Sequence, residues 1–99
     1  MDLLKKKDMK AEIFNFNKWI KETNPSKIKS KFDKILKKSG FKILSFCEHH
    51  FEPHGYTALW LLAESHFAIH TFPEEKKAYI ELSSCNRKFY EKFIGLLNE

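Results

Sequence analysis

The sequence predicts an α+β fold, a two-layer sandwich in which a mostly antiparallel sheet carries helices on one face. Three observations lead there. Short apolar runs alternate with a period of two and are separated by turn residues. Two longer stretches instead repeat apolar residues at helical spacing. Ninety-nine residues, 42% hydrophobic and 15% aromatic, provide for one modest core, so residues 1–99 read as a single domain.

The elements follow in order. Residues 1–8 are charged and read as a loose lead-in. Met9–Phe16 alternates partly and predicts a first strand, after which Trp19 and Ile20 suggest a short helical turn. Asn24 is a cap candidate and Pro25 suits a first helical turn. Ile28, Phe32, Ile35 and Leu36 then recur at helical spacing until Ser39-Gly40 stops the run. Phe41–Phe51 is the second strand, and Pro53-His54-Gly55 is a turn. Tyr56–Ala63 is apolar enough for the sheet centre. A fourth strand spans Phe67–Phe72, Pro73–Lys76 turns the chain, and Lys77–Ser83 alternates as a half-exposed fifth. Phe89, Phe93, Leu96 and Leu97 mark one face of a last helix, capped near Ser84 or Asn86.

Composition limits the function. The net charge of +5 comes mainly from lysines at 5–7, 27–38 and 76–77, while Arg87 is the sole arginine. This pattern reads as a solvated helix face rather than a nucleic-acid surface. Two cysteines, Cys47 and Cys85, do not make a secreted disulfide framework. No apolar run approaches membrane-spanning length and no signal core opens the chain, so a cytoplasmic protein with free thiols and no membrane partner is expected. The five histidines show no standard zinc spacing, and no metal is expected.

The chemistry concentrates in Glu64-Ser65-His66-Phe67-Ala68-Ile69-His70-Thr71-Phe72-Pro73-Glu74, with two hydroxyls, two imidazoles and two carboxylates among apolar residues. Ser65 is a candidate nucleophile. In an extended segment His66, Ala68 and His70 share one face, and Ser65, Phe67 and Ile69 share the other. Ser65 and His70 could therefore meet within one strand only through a bend or bulge.

Glu-Ser-His-x-x-Ile-His-Thr-x-Pro-Glu resembles the self-processing segment of bacterial and archaeal S-adenosylmethionine decarboxylases. Within His50-Phe51-Glu52-Pro53-His54-Gly55-Tyr56-Thr57, the run from Phe51 resembles that family's Phe-x-Pro-x-Gly-x-Ser/Thr element, and Cys85, fifteen residues past His70, matches its catalytic cysteine. Residues 41–85 carry the likeness well and the flanks in outline.

The resemblance implies an enzyme that makes its own pyruvoyl cofactor. Ser65 would attack the carbonyl of Glu64, and β-elimination would leave chains 1–64 and 65–99, the second opening on a pyruvoyl group. His70 would be the processing base and Thr57 would assist. The keto group would form a Schiff base with the substrate amine and accept electrons as carbon dioxide leaves. Cys85 would then return a proton to the α-carbon, whereas Cys47 reads as core. Phe51 and Phe72 match an adenine sandwich, with Phe72 in place of the usual tryptophan. Phe67 matches a backbone contact to adenine, and Glu74 matches the carboxylate that binds the ribose hydroxyls. The implied substrate is S-adenosylmethionine, decarboxylated to the aminopropyl donor of spermidine synthesis by a homodimer of processed protomers.

Two alternatives compete. A relative acting on arginine or ornithine would not need the adenine clamp. An unprocessed regulatory paralogue would not need Ser65, His70 and Cys85. Departures from the family pattern are Glu81 for aspartate, Asn86 for glycine, and a chain that stops soon after its last helix where many relatives add a strand.

Overall fold

The computed structural model describes residues 11–98. The chain runs β1 (Phe14–Ile20), α1 (Pro25–Ser39), β2 (Ile43–His50), β3 (Tyr56–Leu62), β4 (Ser65–Phe72), a 3-10 turn (Pro73–Glu75), β5 (Lys77–Ser84) and α2 (Arg87–Leu97). The strands form one five-stranded sheet in the order β1-β5-β4-β3-β2, and every neighbouring pair is antiparallel.

Period-two alternation divides the sheet into two faces. Ala58, Trp60, Leu62, Phe67, Ile69, Ala78, Ile80 and Leu82 are buried in one cluster with Ile28, Phe32 and Leu36 of α1 and Phe93 of α2. Phe67 stacks on Phe32 at 4.9 Å between ring centroids and meets Phe93 at 5.5 Å. Each fully buried ring of this kind contributes about 1.5–3 kcal/mol.

Residues of the other parity form an open face in three transverse rows. The first is Trp19, Tyr79, His70, Thr57 and His49; the second is Asn17, Glu81, Ala68, Leu59 and Cys47; the third is Asn15, Ser83, His66, Leu61 and Ser45. Leu59 and Leu61 stand 44% and 52% exposed here. One face is thus packed by the helices and the other presents leucines to solvent.

Local chemistry sets the helix ends. The Asn24 side chain accepts from the Lys27 N–H at 3.0 Å and Pro25 opens α1, as the sequence predicts. Gly40, with φ +110°, closes α1: its N–H bonds Lys37 O and the Phe41 N–H bonds Leu36 O, a Schellman motif. A Cβ at Gly40 would also lie 2.6 Å from the Phe89 ring. Asn86 caps α2 by accepting from the Phe89 N–H at 2.9 Å.

Two expectations fail at the start of the chain. The strand expected over Met9–Phe16 begins at Phe14 and continues to Ile20, so Trp19 and Ile20 end a strand rather than begin a helical turn. Tertiary pairing overrides the local pattern: Trp19 lies opposite Tyr79 on β5, 5.4 Å between ring centroids, with the Lys77 ammonium 4.3 Å from its ring centroid. Residues 1–8, expected to be a loose lead-in, and Met9-Lys10 lie outside the described residues. Among the described residues no helix is long and apolar enough to cross a membrane.

Candidate functional site

The singled-out residues fall into two clusters at opposite ends of the β3–β4 hairpin. The first surrounds its turn. Leu62 and Ser65 pair across the hairpin, leaving Ala63 and Glu64 as a two-residue loop, with Glu64 at φ +58°. That left-handed conformation is uncommon for a side chain without a local hydrogen-bonding shortcut, and it lies directly before the Glu64–Ser65 peptide.

Ser65 begins β4 on the helix-facing side and is 8% exposed. Its hydroxyl donates to Ser84 Oγ at 2.7 Å, its register partner on β5. Cys85, the next residue, turns its thiol toward Glu64: Sγ lies 3.2 Å from the Glu64 carbonyl oxygen and 3.3 Å from Oε2. Desolvation first, then the hydrogen bond to Glu64 and the charge of its carboxylate, push the Cys85 thiol above the ordinary thiol range. The thiol therefore stays protonated at neutral pH. A cleft lined by Ile13, Leu44, Leu61, Glu64, Ser65, His66 and Ser84 opens beside this peptide.

The second cluster sits where β3 begins and β4 ends. Thr57 and His70 are cross-strand partners on the open face, with Thr57 Oγ1 2.9 Å from His70 Nδ1. A cavity of about 350 Å³ beside them is lined by Phe51, His54, Gly55, Thr57, His70, Thr71, Phe72, Pro73 and Glu74. Its turn carries Gly55 at φ +118°, and the Phe51 N–H bonds Gly55 O at 2.9 Å. Glu74 Oε2 lies 2.7 Å from His54 Nε2. The Glu74 carboxyl is held below the usual carboxylate range, first by its own backbone N–H and then by His54. Trp19 leans on Phe72, 5.9 Å between centroids.

A single chain does not bring these two clusters together. The β4 register is continuous from Ser65 to Phe72, with neither bend nor bulge. Ser65 and His70 are five positions apart along the strand, about 17 Å, and their side chains take opposite faces. Phe67, whose backbone the resemblance sets against adenine, buries its ring in the core two residues from Ser65 and does not line the cavity of Phe51, Phe72 and Glu74. Cys47, expected to be core, is exposed on the open face because its parity on β2 points away from the helices.

Three residues escaped the sequence reading as site candidates: Ser84, read only as a helix cap; His54, read only as part of a turn; and the side chain of Glu64. Counting back from the Pro73–Lys76 turn would have placed Ser84 opposite Ser65. Among the described residues no group of three or more His, Cys, Asp or Glu side chains is placed to hold a metal ion.

Comparisons with known proteins agree on the kind of chain this is. A crystal structure of the adenosylmethionine decarboxylase from Aquifex aeolicus superposes with a TM-score of 0.68, covering 91% of this chain and 83% of that one; at 24% identity the likeness is one of fold. The S-adenosylmethionine decarboxylase proenzyme of Prochlorococcus marinus (strain MIT 9313) is 47% identical over 49 residues, half of this chain and 39% of that protein. A relative of the same name from Sulfurihydrogenibium is 39% identical over 61 residues, 62% of this chain and 46% of that protein. The chain thus spans less than half the length of these curated relatives. The family model described as S-adenosylmethionine decarboxylase matches residues 9–99. The chain belongs to the S-adenosylmethionine decarboxylase family.

Proposed function

We propose that residues 1–99 act as one self-cleaving domain that cuts itself between Glu64 and Ser65, carries a pyruvoyl group made from Ser65, and decarboxylates S-adenosylmethionine to the aminopropyl donor for spermidine synthesis. The observation that carries this reading is the Cys85 thiol 3.2 Å from the Glu64 carbonyl oxygen, directly beside a buried Ser65 hydroxyl. Attack by Ser65 Oγ on that carbonyl carbon closes a five-membered ring and puts negative charge on the oxygen the thiol faces. The Ser65 nitrogen takes up the proton given up by the hydroxyl and leaves, and an ester remains. Loss of the Ser65 α-proton breaks the Cβ–O bond, freeing Glu64 as a carboxylate, and hydrolysis of the residual enamine releases ammonia.

The pyruvoyl group would supply an electron sink for the decarboxylation. The chain's own residues do the rest. Cys85, kept protonated by Glu64 and by burial, returns a proton to the substrate α-carbon. Phe51, Phe72 and Glu74 border one cavity, two aromatic faces and a carboxylate suited to a purine nucleoside. That convergence favours S-adenosylmethionine over arginine or ornithine, which offer neither ring nor ribose.

His70 and Thr57 cannot serve Ser65 of their own chain, and this supports a homodimer. A second copy laid head to tail over the open face, against Leu59 and Leu61, would bring its His70, Thr57, Phe51, Phe72 and Glu74 toward the Ser65 end of the first. Two-fold symmetry would make two such sites, each built from both copies.

Intact mass under denaturing conditions tests the reading. Chains of 64 and 35 residues are expected, the smaller one bearing the mass of a pyruvoyl rather than a seryl terminus, and Ser65→Ala should stay whole. A parent chain that remains uncut on long incubation would remove the pyruvoyl reading and favour the regulatory paralogue.

A further inference from the structure

We propose that Ser84 is a positioning residue for self-cleavage: it holds the proton of the Ser65 hydroxyl so that the oxygen lone pairs are free to meet the Glu64 carbonyl. The inference rests on the self-cleavage reading above and assigns a part in it to a residue that the family resemblance did not single out.

A serine hydroxyl has one proton and two lone pairs. Ser84 Oγ accepts the Asn86 N–H at 2.9 Å and points its own proton at the Asn86 carbonyl, 3.4 Å away. One lone pair is left, and it faces Ser65 Oγ at 2.7 Å. Ser84 is 1% exposed, so water does not compete for that position. Ser65 must therefore donate, and with its proton engaged both of its lone pairs remain unclaimed by any other hydrogen bond among the described residues.

Three consecutive residues then hold the two reacting partners from one side. Ser84 orients the nucleophile, Cys85 faces the carbonyl oxygen that will take the charge, and the Asn86 backbone locks the Ser84 rotamer while its side chain caps α2. The register pair Ser65–Ser84 ends both strands, so the clamp sits on the rigid sheet and not on the loop. Preorganisation of this kind is worth most when the bond-forming atoms need no further search.

The test follows the full-length chain, expressed in a form that is uncut at time zero, by mass spectrometry over time. Ser84→Ala should lower the cutting rate about a hundredfold. Ser84→Thr, which keeps the hydroxyl, should cut within about threefold of the parent, and similar melting curves would confirm that both variants fold. Hydroxylamine, which cleaves esters, separates the steps: Ser84→Ala should release no fragments with it, because the attack itself is impaired. Cutting at the parental rate in Ser84→Ala, a folded but inert Ser84→Thr, or an ester that accumulates and yields to hydroxylamine would each overturn the assignment while leaving self-cleavage standing. A parent chain that never cuts would remove self-cleavage as well.

Discussion

The two ends of strand β4 differ in how finished they are. At the Ser65 end the polar atoms are paired among themselves and Ser84 is fully buried. At the His70 end the groups are half-exposed around an open cavity, and Glu74 is paired with an exposed histidine. The contrast matches two kinds of work. A reaction on the protein's own backbone has its substrate attached and gains from a closed arrangement. A site for a diffusible molecule must stay open and be completed on binding.

The comparison can be broken most severely at His70. Under the two-copy proposal His70→Ala should slow cutting about a hundredfold or more. Refolding it together with Ser65→Ala should restore cutting of the His70→Ala chain, because the mixed dimer keeps one Ser65 facing one intact His70. Mass spectrometry of isotopically distinguished chains reads the result, and no restoration would confine each site to a single copy.

A smaller effect is expected at the open end. Glu74→Gln should leave cutting unchanged and raise the KM for S-adenosylmethionine about tenfold, as expected when about 1.5 kcal/mol of hydrogen bonding to a charged group is lost. Steady-state assay of carbon dioxide release measures it. An unchanged KM would take Glu74 out of substrate binding.

The smallest effect concerns Glu64. If Cys85 is the proton donor, as proposed, its raised thiol stays protonated through neutral pH and is lost only as pH rises through its elevated value. Glu64→Gln removes the side-chain charge but neither the burial nor the terminal carboxylate that cutting leaves on residue 64, so the alkaline limb of kcat should move modestly to lower pH while the acid limb stays. A limb that does not move would assign the elevation to burial and the terminal carboxylate.

Much of this was legible in the sequence. The turns, the helix caps at Asn24 and Gly40, and the central strands follow from local chemistry that tertiary structure did not override. Side-chain parity along β4 already separated Ser65 from His70, and the continuous register leaves no bulge to reconcile them. The failures have one cause. Trp19 and Ile20 carry no local strand signal strong enough to beat a helical turn, and their conformation is set by β5, about sixty residues away. Ser84 was overlooked for the same reason, since a small hydroxyl acquires meaning only from what the register places opposite it.

The sheet order has a consequence for the protein that the proposed cut would produce. Residues 65–99 supply β4, β5 and α2, and the strands on either side of them, β3 and β1, belong to residues 1–64. The short fragment is therefore held as the middle of a sheet whose two outer portions come from one chain, and it cannot peel off an edge. Its departure would open two strand pairings and the core at once, so dissociation and unfolding become a single event. Cutting would convert a chain that refolds alone into a two-body assembly. After heating and cooling, the uncut Ser65→Ala chain should recover its fold more completely than the cut protein, and dilution should widen the gap.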